Sequence, residues 1–238
     1  MLNTPIIQID NLLFRWSASH APCLDLPHLE INAGERIFLH GPSGSGKSTL
    51  LGLLGGVLLP ERGAIELLGT ALTKIDSAAR DRFRADHVGF LFQQFNLIPY
   101  LSVFDNVLLP CHFSMRRRAR TTAGGKRLQD EAKRLLDHLD IEPALRDRPV
   151  TQLSVGQQQR VAAARALIGQ PEIVIADEPT SSLDADRQKA FLDLLLKECG
   201  EVGTTLLFVS HDHRLASSFS REIALQSVNQ APLDAEAA

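Results

Sequence analysis

The sequence predicts an α/β protein whose sheet is mostly parallel. After Val150, helical and strand patterns alternate, which is typical of parallel strands covered by helices on both faces. The N-terminal third is composed of short apolar runs separated by Gly, Pro and Asn, and the middle of the chain is mostly charged and helical. With 238 residues, the chain suits one large domain, or a domain with a subdomain.

Each predicted element follows from its local pattern. The N-terminal strands are "IIQIDNLLFRW", "LDLPHLEI" and "GERIFLHG", and an apolar helix runs from Ser48 to about Leu58. The middle of the chain contains the amphipathic helix "LQDEAKRLLDHLD". The last third alternates between helix "GQQQRVAAARALI", strand "EIVIAD", helix "DRQKAFLDLLLKECG" and strand "TTLLFVSHD". The C-terminal tail is predicted to fray.

Composition excludes several classes of protein. A hydrophobic content of 44% and a charged content of 22% are those of an ordinary soluble globular protein, and a net charge of -3 argues against a general nucleic-acid binder. The three cysteines fit no metal or redox spacing, so we expect structural thiols in a reducing compartment. The N-terminus lacks a signal-peptide pattern, and the longest apolar stretch, residues 50–60, is too short to cross a bilayer.

Residues 41–48, "GPSGSGKS", match the complete G-x-x-x-x-G-K-[ST] phosphate-binding pattern. Such glycines let consecutive backbone N–H groups face a β-phosphate, while Lys47 supplies a charge to the β- and γ-phosphates and Ser48 a hydroxyl to Mg²⁺. The alternative is a glycine-rich turn without a ligand, but the strand before it and the helix after it favour the phosphate site. The predicted nucleotide-binding residues of this loop are Gly41, Pro42, Ser43, Gly44, Ser45, Gly46, Lys47, Ser48 and Thr49.

An acidic pair follows the apolar strand "EIVIAD". Asp177 comes at the carboxyl end of this strand, where ligands bind in open α/β sheets, and is predicted to hold Mg²⁺ through a water. Glu178 comes next and is placed to act as the general base that polarises an attacking water. The alternative is a solvated acidic pair at a strand end.

The stretch "LSVGQQQR" places Ser154 and Gly156 at the start of a predicted helix. The first-turn N–H groups of a helix have no partner within it, so such a turn can receive an anion. Its role therefore depends on whether it reaches a phosphate.

Five stretches together resemble an ATP-binding-cassette (ABC) ATPase subunit: "GPSGSGKS", "FQQFNLIP", "LSVGQQQR", "IADEPTSSLD" and "FVSHD" occur in the family's order with its typical spacing. The resemblance covers nearly the whole chain. It implies a P-loop NTPase fold with an ABC-type ATPase core, an N-terminal antiparallel β-subdomain and a helical subdomain that carries the signature motif. The implied boundaries are 1–92 and 160–228 for the core with its β-subdomain, 93–159 for the helical subdomain and 229–238 for the frayed tail.

The resemblance also implies a role for each matching residue. Gln93 corresponds to the glutamine that bridges the metal or attacking water and the surface touching a membrane partner, and His211 to the histidine that senses the γ-phosphate. Trp16 lies where the family usually has an aromatic ring stacked on adenine, although core packing is the alternative for a lone Trp. The signature residues are Ser154, Gly156 and Gln157, and the residues of the loop between subunits are Ser182 and Asp184.

In this family, two chains lie head to tail and enclose two ATP molecules, and the signature turn of one chain reaches the nucleotide bound by the other. The implied catalytic residues are Lys47, Gln93, Glu178 and His211, and the implied Mg²⁺ residues are Ser48, Gln93 and Asp177. One departure is Val155, which replaces the first of two glycines in the commonest signature; its amide survives, so we expect phosphate contact to persist with an altered turnover rate.

The motifs look most like the branch of lipoprotein-release and macrolide-export ATPases, which implies a membrane permease as partner and a cytoplasmic, peripheral location at the inner membrane. The alternatives are the ATPase of a polar amino-acid importer and a non-transport ATPase acting on nucleic acid or ribosomes. We expect no nucleic-acid partner, because the chain has no inserted coiled coil, no C-x-x-C and only one cassette. The family's usual turn after the last strand is missing from "REIALQSVNQ".

A basic run spans Arg116 to Arg127. It is predicted to be a solvated, mobile loop, with contact to anionic lipid headgroups as the alternative.

Overall fold

The computed structural model describes residues 5–181 and 183–232. The chain divides into two units, residues 5–84 with 207–232 and residues 85–206 without Ser182. Its strands are β1 (Pro5–Phe14), β2 (Leu24–Asn32), β3 (Arg36–His40), β4 (Arg62–Leu67), β5 (Thr70–Ala71), β6 (Val88–Leu91), β7 (Ile173–Asp177), β8 (Thr205–Val209) and β9 (Arg221–Ala224). Its α-helices are α1 (Lys47–Leu54), α2 (Ser77–His87), α3 (Val103–Phe113), α4 (Met115–Thr121), α5 (Leu128–His138), α6 (Val155–Leu167), α7 (Ala185–Val202) and α8 (Leu225–Val228).

The first unit contains an antiparallel sheet with the strand order β2-β1-β4-β5. Burial alternates along residues 7–10 of β1, as expected for a sheet with one face on the core, but the apolar residues 12–14 are buried in succession. Ile9 pairs with Leu29 of β2 and with Ile65 of β4, and all three side chains are buried. This sheet confirms the predicted N-terminal antiparallel β-structure.

In the first unit, strand β3 lies between β8 and β9 and pairs with β9 in parallel. Ile37, Phe38 and Leu39 of β3 are all buried, which matches the continuous apolar run expected of a strand covered on both faces. The register of β3 and β9 places Phe38 opposite Glu222 and His40 opposite Ala224. Strand β3 therefore ends at His40 and leads directly into the glycine-rich loop that begins at Gly41.

The second unit combines parallel strands β6 and β7 with helices α3 to α7. The register pairs Gly89 with Val174, and a Cβ atom at Gly89 would lie 2.2 Å from the carbonyl oxygen of Ala166 in helix α6. Glycine is thus required where this helix contacts the strand. The predicted boundaries of a helical subdomain, 93 and 159, stay a prediction.

The first part of the basic run lies in helix α4, and the prediction of a solvated loop is wrong for three of its arginines. Arg117 is only 2% exposed and donates to the carbonyl of Ala166, and burial lowers its pKa to about 10. Arg116 and Arg120 form ion pairs with Glu172, with N–O distances of 2.7 and 2.5 Å. Arg116 and Arg120 therefore hold α4 on Glu172, which precedes β7, and Arg117 holds it on the end of α6.

Glu172 accepts hydrogen bonds from three basic side chains, those of His87, Arg116 and Arg120. Burial alone would raise the pKa of its carboxyl group, but hydrogen bonds from His87, Arg120 and Arg116 lower that pKa well below its usual range. The carboxylate is thus kept ionised at one end of β7, as part of the packing of α4.

Within the described part of the chain, none of the helices combines the length and the apolar character needed to cross a membrane. Cys23, Cys111 and Cys199 are free thiols, and the last two are buried.

Candidate active site

The glycine-rich loop of the first unit connects β3 to α1 in the way that its sequence predicts. Gly44 and Gly46 have φ angles of 76° and 93°, which an L-residue with a side chain rarely adopts. Gly46 is the N-cap of α1 and no side chain caps this helix. A Cβ at Gly46 would also lie 2.7 Å from the side chain of Leu24. The loop therefore presents the start of α1 to an anion, which is the geometry of a phosphate site.

Lys47 spans the loop with its side chain. Its Nζ donates to the carbonyl oxygens of Gly41 and Pro42, at 2.8 and 2.9 Å, and the residue is 8% exposed. A phosphate oxygen would be a stronger acceptor for the same ammonium group than a neutral carbonyl. The charge that the sequence predicts for phosphate binding is thus held at the loop.

Ser45 supplies a further sign that the loop is built for a polar ligand. Its side chain is 2% exposed, and its Oγ has no hydrogen-bond partner in the described protein. A buried polar atom without a partner costs free energy, so such an atom calls for an explanation. Ser48, three residues on, is exposed. A hydroxyl-lined loop of this kind fits a phosphate with its bound cation.

Asn229, in the C-terminal segment, forms hydrogen bonds with the glycine-rich loop and with the chain at the start of β2. The amide group of Asn229 accepts from the N–H of Asp25 at 2.8 Å and donates to the carbonyls of Cys23 and Ser45, at 3.1 and 3.4 Å. Asn229 directly follows helix α8, which lies after the last strand, where the sequence lacks the family's usual turn. The prediction that the tail frays from residue 229 is therefore wrong for Asn229; the tail from 233 lies outside the described residues.

Trp16 and His211 also belong to the first unit. The Trp16 ring is 63% exposed and contacts Phe14 edge-on, with ring centroids 5.2 Å apart, so it does not pack in the core. His211 follows β8 and is exposed. Both side chains are accessible from solution, which adenine stacking and phosphate sensing each require.

The acidic pair of the second unit lies at the carboxyl end of β7, as predicted. Residues Ile173 to Ala176 are buried and Asp177 is half-buried. Glu178 has a φ angle of 44°, which is unusual for a residue with a side chain. Strained backbone of this kind persists only where the surrounding structure imposes it, and it concentrates at functional sites. The strained backbone indicates that the direction of the Glu178 side chain is important for function.

The loop that carries Gln93 is hydrogen-bonded by Arg165, a residue that the sequence did not single out. Phe95 and Asn96 both have positive φ angles, of 60° and 49°. The guanidinium of Arg165, near the end of α6, donates to their carbonyl oxygens at 2.5 and 2.6 Å. Burial lowers the pKa of Arg165. Gln93 itself is exposed, so the loop fixes its backbone and leaves the side chain accessible.

The "LSVGQQQR" turn begins helix α6, as the sequence predicts. The Oγ of Ser154 accepts from the N–H of Gln157, and the Gln157 side chain accepts from the N–H of Ser154, which together form a capping box. Ser154 is exposed and Val155 is 51% exposed, so the turn lies at the surface. Gln157 thus has a structural partner in its own chain.

The loop assigned to contact between subunits is described only in part. Ser182 lies outside the described residues. Asp184 is the N-cap of α7, and its Oδ1 accepts from the N–H of Arg187 at 3.0 Å. A contact of Asp184 with a second chain stays a prediction.

Comparison with known proteins identifies the family. The model of the ABC transporter family matches residues 24–181, which is more than half of the chain. The chain belongs to the ABC transporter ATP-binding family. Its relatives include the lipoprotein-releasing system ATP-binding protein LolD 2 of Rhodospirillum rubrum, 40% identical over 86% of this chain and 87% of the relative. The macrolide export ATP-binding/permease protein MacB of Pasteurella multocida is 36% identical over 95% of this chain but only 34% of its own length.

A solved structure supports the same family and its chemistry. The ABC cassette MJ0796, in a dimeric post-hydrolysis state with ADP and Pi, superposes with a TM-score of 0.79 at 34% identity, over 92% of this chain and 93% of the other. The predicted fold class, an ABC ATPase core with parallel and antiparallel sheets, is confirmed. This ABC protein is accordingly an ATP-binding and ATP-hydrolysing enzyme.

Proposed function

We propose that two copies of this ABC ATPase enclose two ATP molecules and drive a membrane permease of the lipoprotein-release and macrolide-export type. The observation that supports the dimer is the exposure of the turn at Ser154, the N-cap of helix α6. The next residue in this turn, Val155, is also exposed to solution. The dimeric state of MJ0796 supports it. The alternatives for the partner are an amino-acid importer and, with less support, nucleic acid or ribosomes.

Each residue has a proposed part in the reaction. The amides of the glycine-rich loop and Lys47 bind the β- and γ-phosphates, and Trp16 stacks on adenine. Glu178 accepts the proton of the attacking water, His211 contacts the γ-phosphate, and Ser154 and Gly156 of a second copy complete the site. When bound, Mg²⁺ would neutralise phosphate charge. The residues that would hold it are Ser48, Gln93 and Asp177; the exposed hydroxyl of Ser48 and the half-buried carboxylate of Asp177 are the hard oxygen donors that Mg²⁺ prefers.

Complementation between two inactive variants tests whether the site is shared. Gly156 has no atom closer than 4.0 Å to the position of an added Cβ, and its φ is not positive, so Gly156→Asp fits the isolated chain. Its carboxylate is expected to stabilise the helix start and to repel a phosphate. Gly156→Asp and Lys47→Ala should each lack ATPase activity, whereas an equal mixture should recover up to about a quarter of the wild-type rate, because half of the dimers contain one complete site.

The control for this experiment is Gly156→Ala, which fills the same open space without charge. It should retain more activity alone than Gly156→Asp, because it adds a methyl group and no charge next to the phosphate. No recovery in the mixture, although both variants fold and the glycine-to-alanine variant is active, would show that each chain completes its own site.

The partner is tested by purification from detergent extract. We expect Glu178→Gln protein with ATP to co-purify a membrane protein that has few transmembrane helices and a large extracytoplasmic domain, because closure without turnover prolongs the complex. The MacB relative, an ATP-binding/permease protein in one chain, supports a permease as the partner. Co-purification of a many-helix importer would favour the amino-acid alternative. An ATPase rate that rises with added nucleic acid would refute the membrane partner.

A further inference from the structure

Three potential metal ligands meet in the first unit, beside the proposed ATP site, because His40 directly precedes the glycine-rich loop and His213 lies two residues after His211. His40 ends β3, Glu222 lies in β9, and His213 begins a short 3₁₀ helix, His213–Ser218, that follows β8. The Oε1 of Glu222 lies 3.0 Å from Nε2 of His40 and 3.4 Å from Nδ1 of His213. One ligand atom from each residue lies within 4.8 Å of the other two. The three side chains therefore converge on one point.

The spacing of these atoms matches the requirements of a small transition-metal ion. Zinc bonds of about 2.0–2.2 Å in a tetrahedron place neighbouring ligand atoms roughly 3.4 Å apart. The two separations that involve Glu222, 3.0 and 3.4 Å, lie at or below this value, and the two histidine nitrogens lie within 4.8 Å of each other. A bound ion therefore requires a shift of the side chains. Two imidazoles and one carboxylate are a known ligand set for such ions, with the remaining position open to water.

We propose that His40, His213 and Glu222 form a binding site for a divalent transition-metal ion of the zinc class. Mg²⁺ and Ca²⁺ do not suit it, because they prefer sets of oxygen ligands. The site is distinct from the proposed Mg²⁺ residues Ser48, Gln93 and Asp177.

The surrounding structure holds the ligands in place. The ring of Phe38 lies beneath both histidines, with centroids 5.8 Å from His40 and 6.1 Å from His213, and the two imidazoles meet edge-on at 4.4 Å. The side chains of His213 and Glu222 are 62% and 47% exposed, so an ion has an entry path. His40 is 12% exposed and is positioned by the strand pairing of β3 with β9. The ligands thus come from three segments that are packed together before any ion binds.

The charge of the group also suits a dication, because the carboxylate of Glu222 lies beside both imidazoles.

A second group in the described residues, His138, Glu198 and Glu201, has similar spacing but already holds a cation. The guanidinium of Arg134 lies 3.1 Å from Glu198 and 3.0 Å from Nδ1 of His138. An added metal ion would have to displace this arginine. In the group around His40, by contrast, the carboxylate of Glu222 contacts the two histidines themselves.

Zinc titration of the full-length protein tests the proposal, without an affinity tag, nucleotide or Mg²⁺, in competition with a chromophoric chelator. We expect one Zn²⁺ per chain and a rise in melting temperature, since an ion that binds only the folded state stabilises it. His213→Ala and Glu222→Gln should each weaken binding by more than the roughly 10–100-fold that changes to residues supporting a metal ligand cost. Cobalt substitution should give absorption bands without a thiolate charge-transfer band, which excludes Cys23 as a ligand.

The matched control is His28→Ala. His28 also has two acidic neighbours, but Asp10 contacts its Nδ1 and Glu30 its Nε2, so these groups do not converge. This variant should bind Zn²⁺ like the wild type. The proposal is overturned if the wild type does not bind Zn²⁺, if His213→Ala and Glu222→Gln bind it normally, or if His28→Ala weakens binding equally. Melting in EDTA shows that the variants fold.

Discussion

Glu178→Gln is expected to stop ATP hydrolysis while leaving ATP binding intact. Removing a general base typically lowers the rate by about 10²–10⁴-fold. The glycine-rich loop and Lys47, which are proposed to bind the phosphates, lie elsewhere in the chain. Glutamine has nearly the same shape as glutamate, so the strained backbone at this position, with its φ of 44°, imposes the same direction on the new side chain. Phosphate release measures turnover, and calorimetry measures ATP affinity.

The same variant reports on the dimer. With binding retained and hydrolysis removed, ATP should hold two chains together, so the variant should elute from gel filtration as a dimer with ATP and Mg²⁺ and as a monomer without ATP. A variant that binds ATP but stays monomeric would count against the shared site.

Glu172→Gln provides the matched control for this variant. It makes the same chemical change at the other end of β7, where the carboxylate accepts hydrogen bonds from His87, Arg116 and Arg120. We expect this control to reduce stability toward urea by roughly 1–3 kcal/mol and to leave the turnover of the folded protein unchanged. If both substitutions slow turnover equally, the effect of Glu178→Gln arises from packing around β7 and not from the loss of a base.

The elements that the sequence predicts best are those whose signal is local. The phosphate loop needs glycines at positions 44 and 46, because both have positive φ angles, and its flanking strand and helix show their own periodicity. The turn before α6 likewise contains its complete capping box within four residues, Ser154 to Gln157. Such features form from neighbouring residues, so a single sequence is sufficient to find them.

The features that were missed depend on partners far away in the chain. Arg165 holds carbonyl groups about 70 residues before it, and the side chain of Asn229 reaches Asp25, 204 residues away. Arg116 and Arg120 looked like a solvated basic run because Glu172, with which both pair, is more than 50 residues on. Charge and polarity in the sequence show that these groups need partners, but only the fold shows which partners they have.

The positive φ angle of Glu178 was not predicted from the sequence for a different reason. The left-handed region is usually occupied by glycine or asparagine, and no pattern in "ADEPTS" indicates that a glutamate should adopt it. The sequence predicts the chemistry of this carboxylate from its position after a strand. The structure adds that its backbone is constrained, which is a property of the packed fold.

Lys47→Ala is expected to abolish measurable ATP binding. A hydrogen bond to a charged group contributes about 1.5–3 kcal/mol, and this ammonium group is proposed to contact two phosphates, so we expect a loss of at least roughly 100-fold in affinity. In the structure, Nζ is already directed into the loop, where it donates to the carbonyls of Gly41 and Pro42. Calorimetry with ATP and with ADP measures the loss.

The position of Lys47 raises the question whether its removal acts through charge or through the shape of the loop. Lys47→Arg retains the charge, but its larger planar head does not reproduce the two carbonyl contacts, whereas Lys47→Ala removes both. An equal loss in both variants, with an unchanged melting temperature, would assign the effect to loop geometry; partial rescue by arginine would assign it to charge. Lys74→Ala removes one exposed lysine of the same unit and should bind ATP normally, which excludes an effect of net charge. Unchanged binding in Lys47→Ala would refute the phosphate site itself, because no other cation of the loop could replace an ammonium group that is 8% exposed and directed into it.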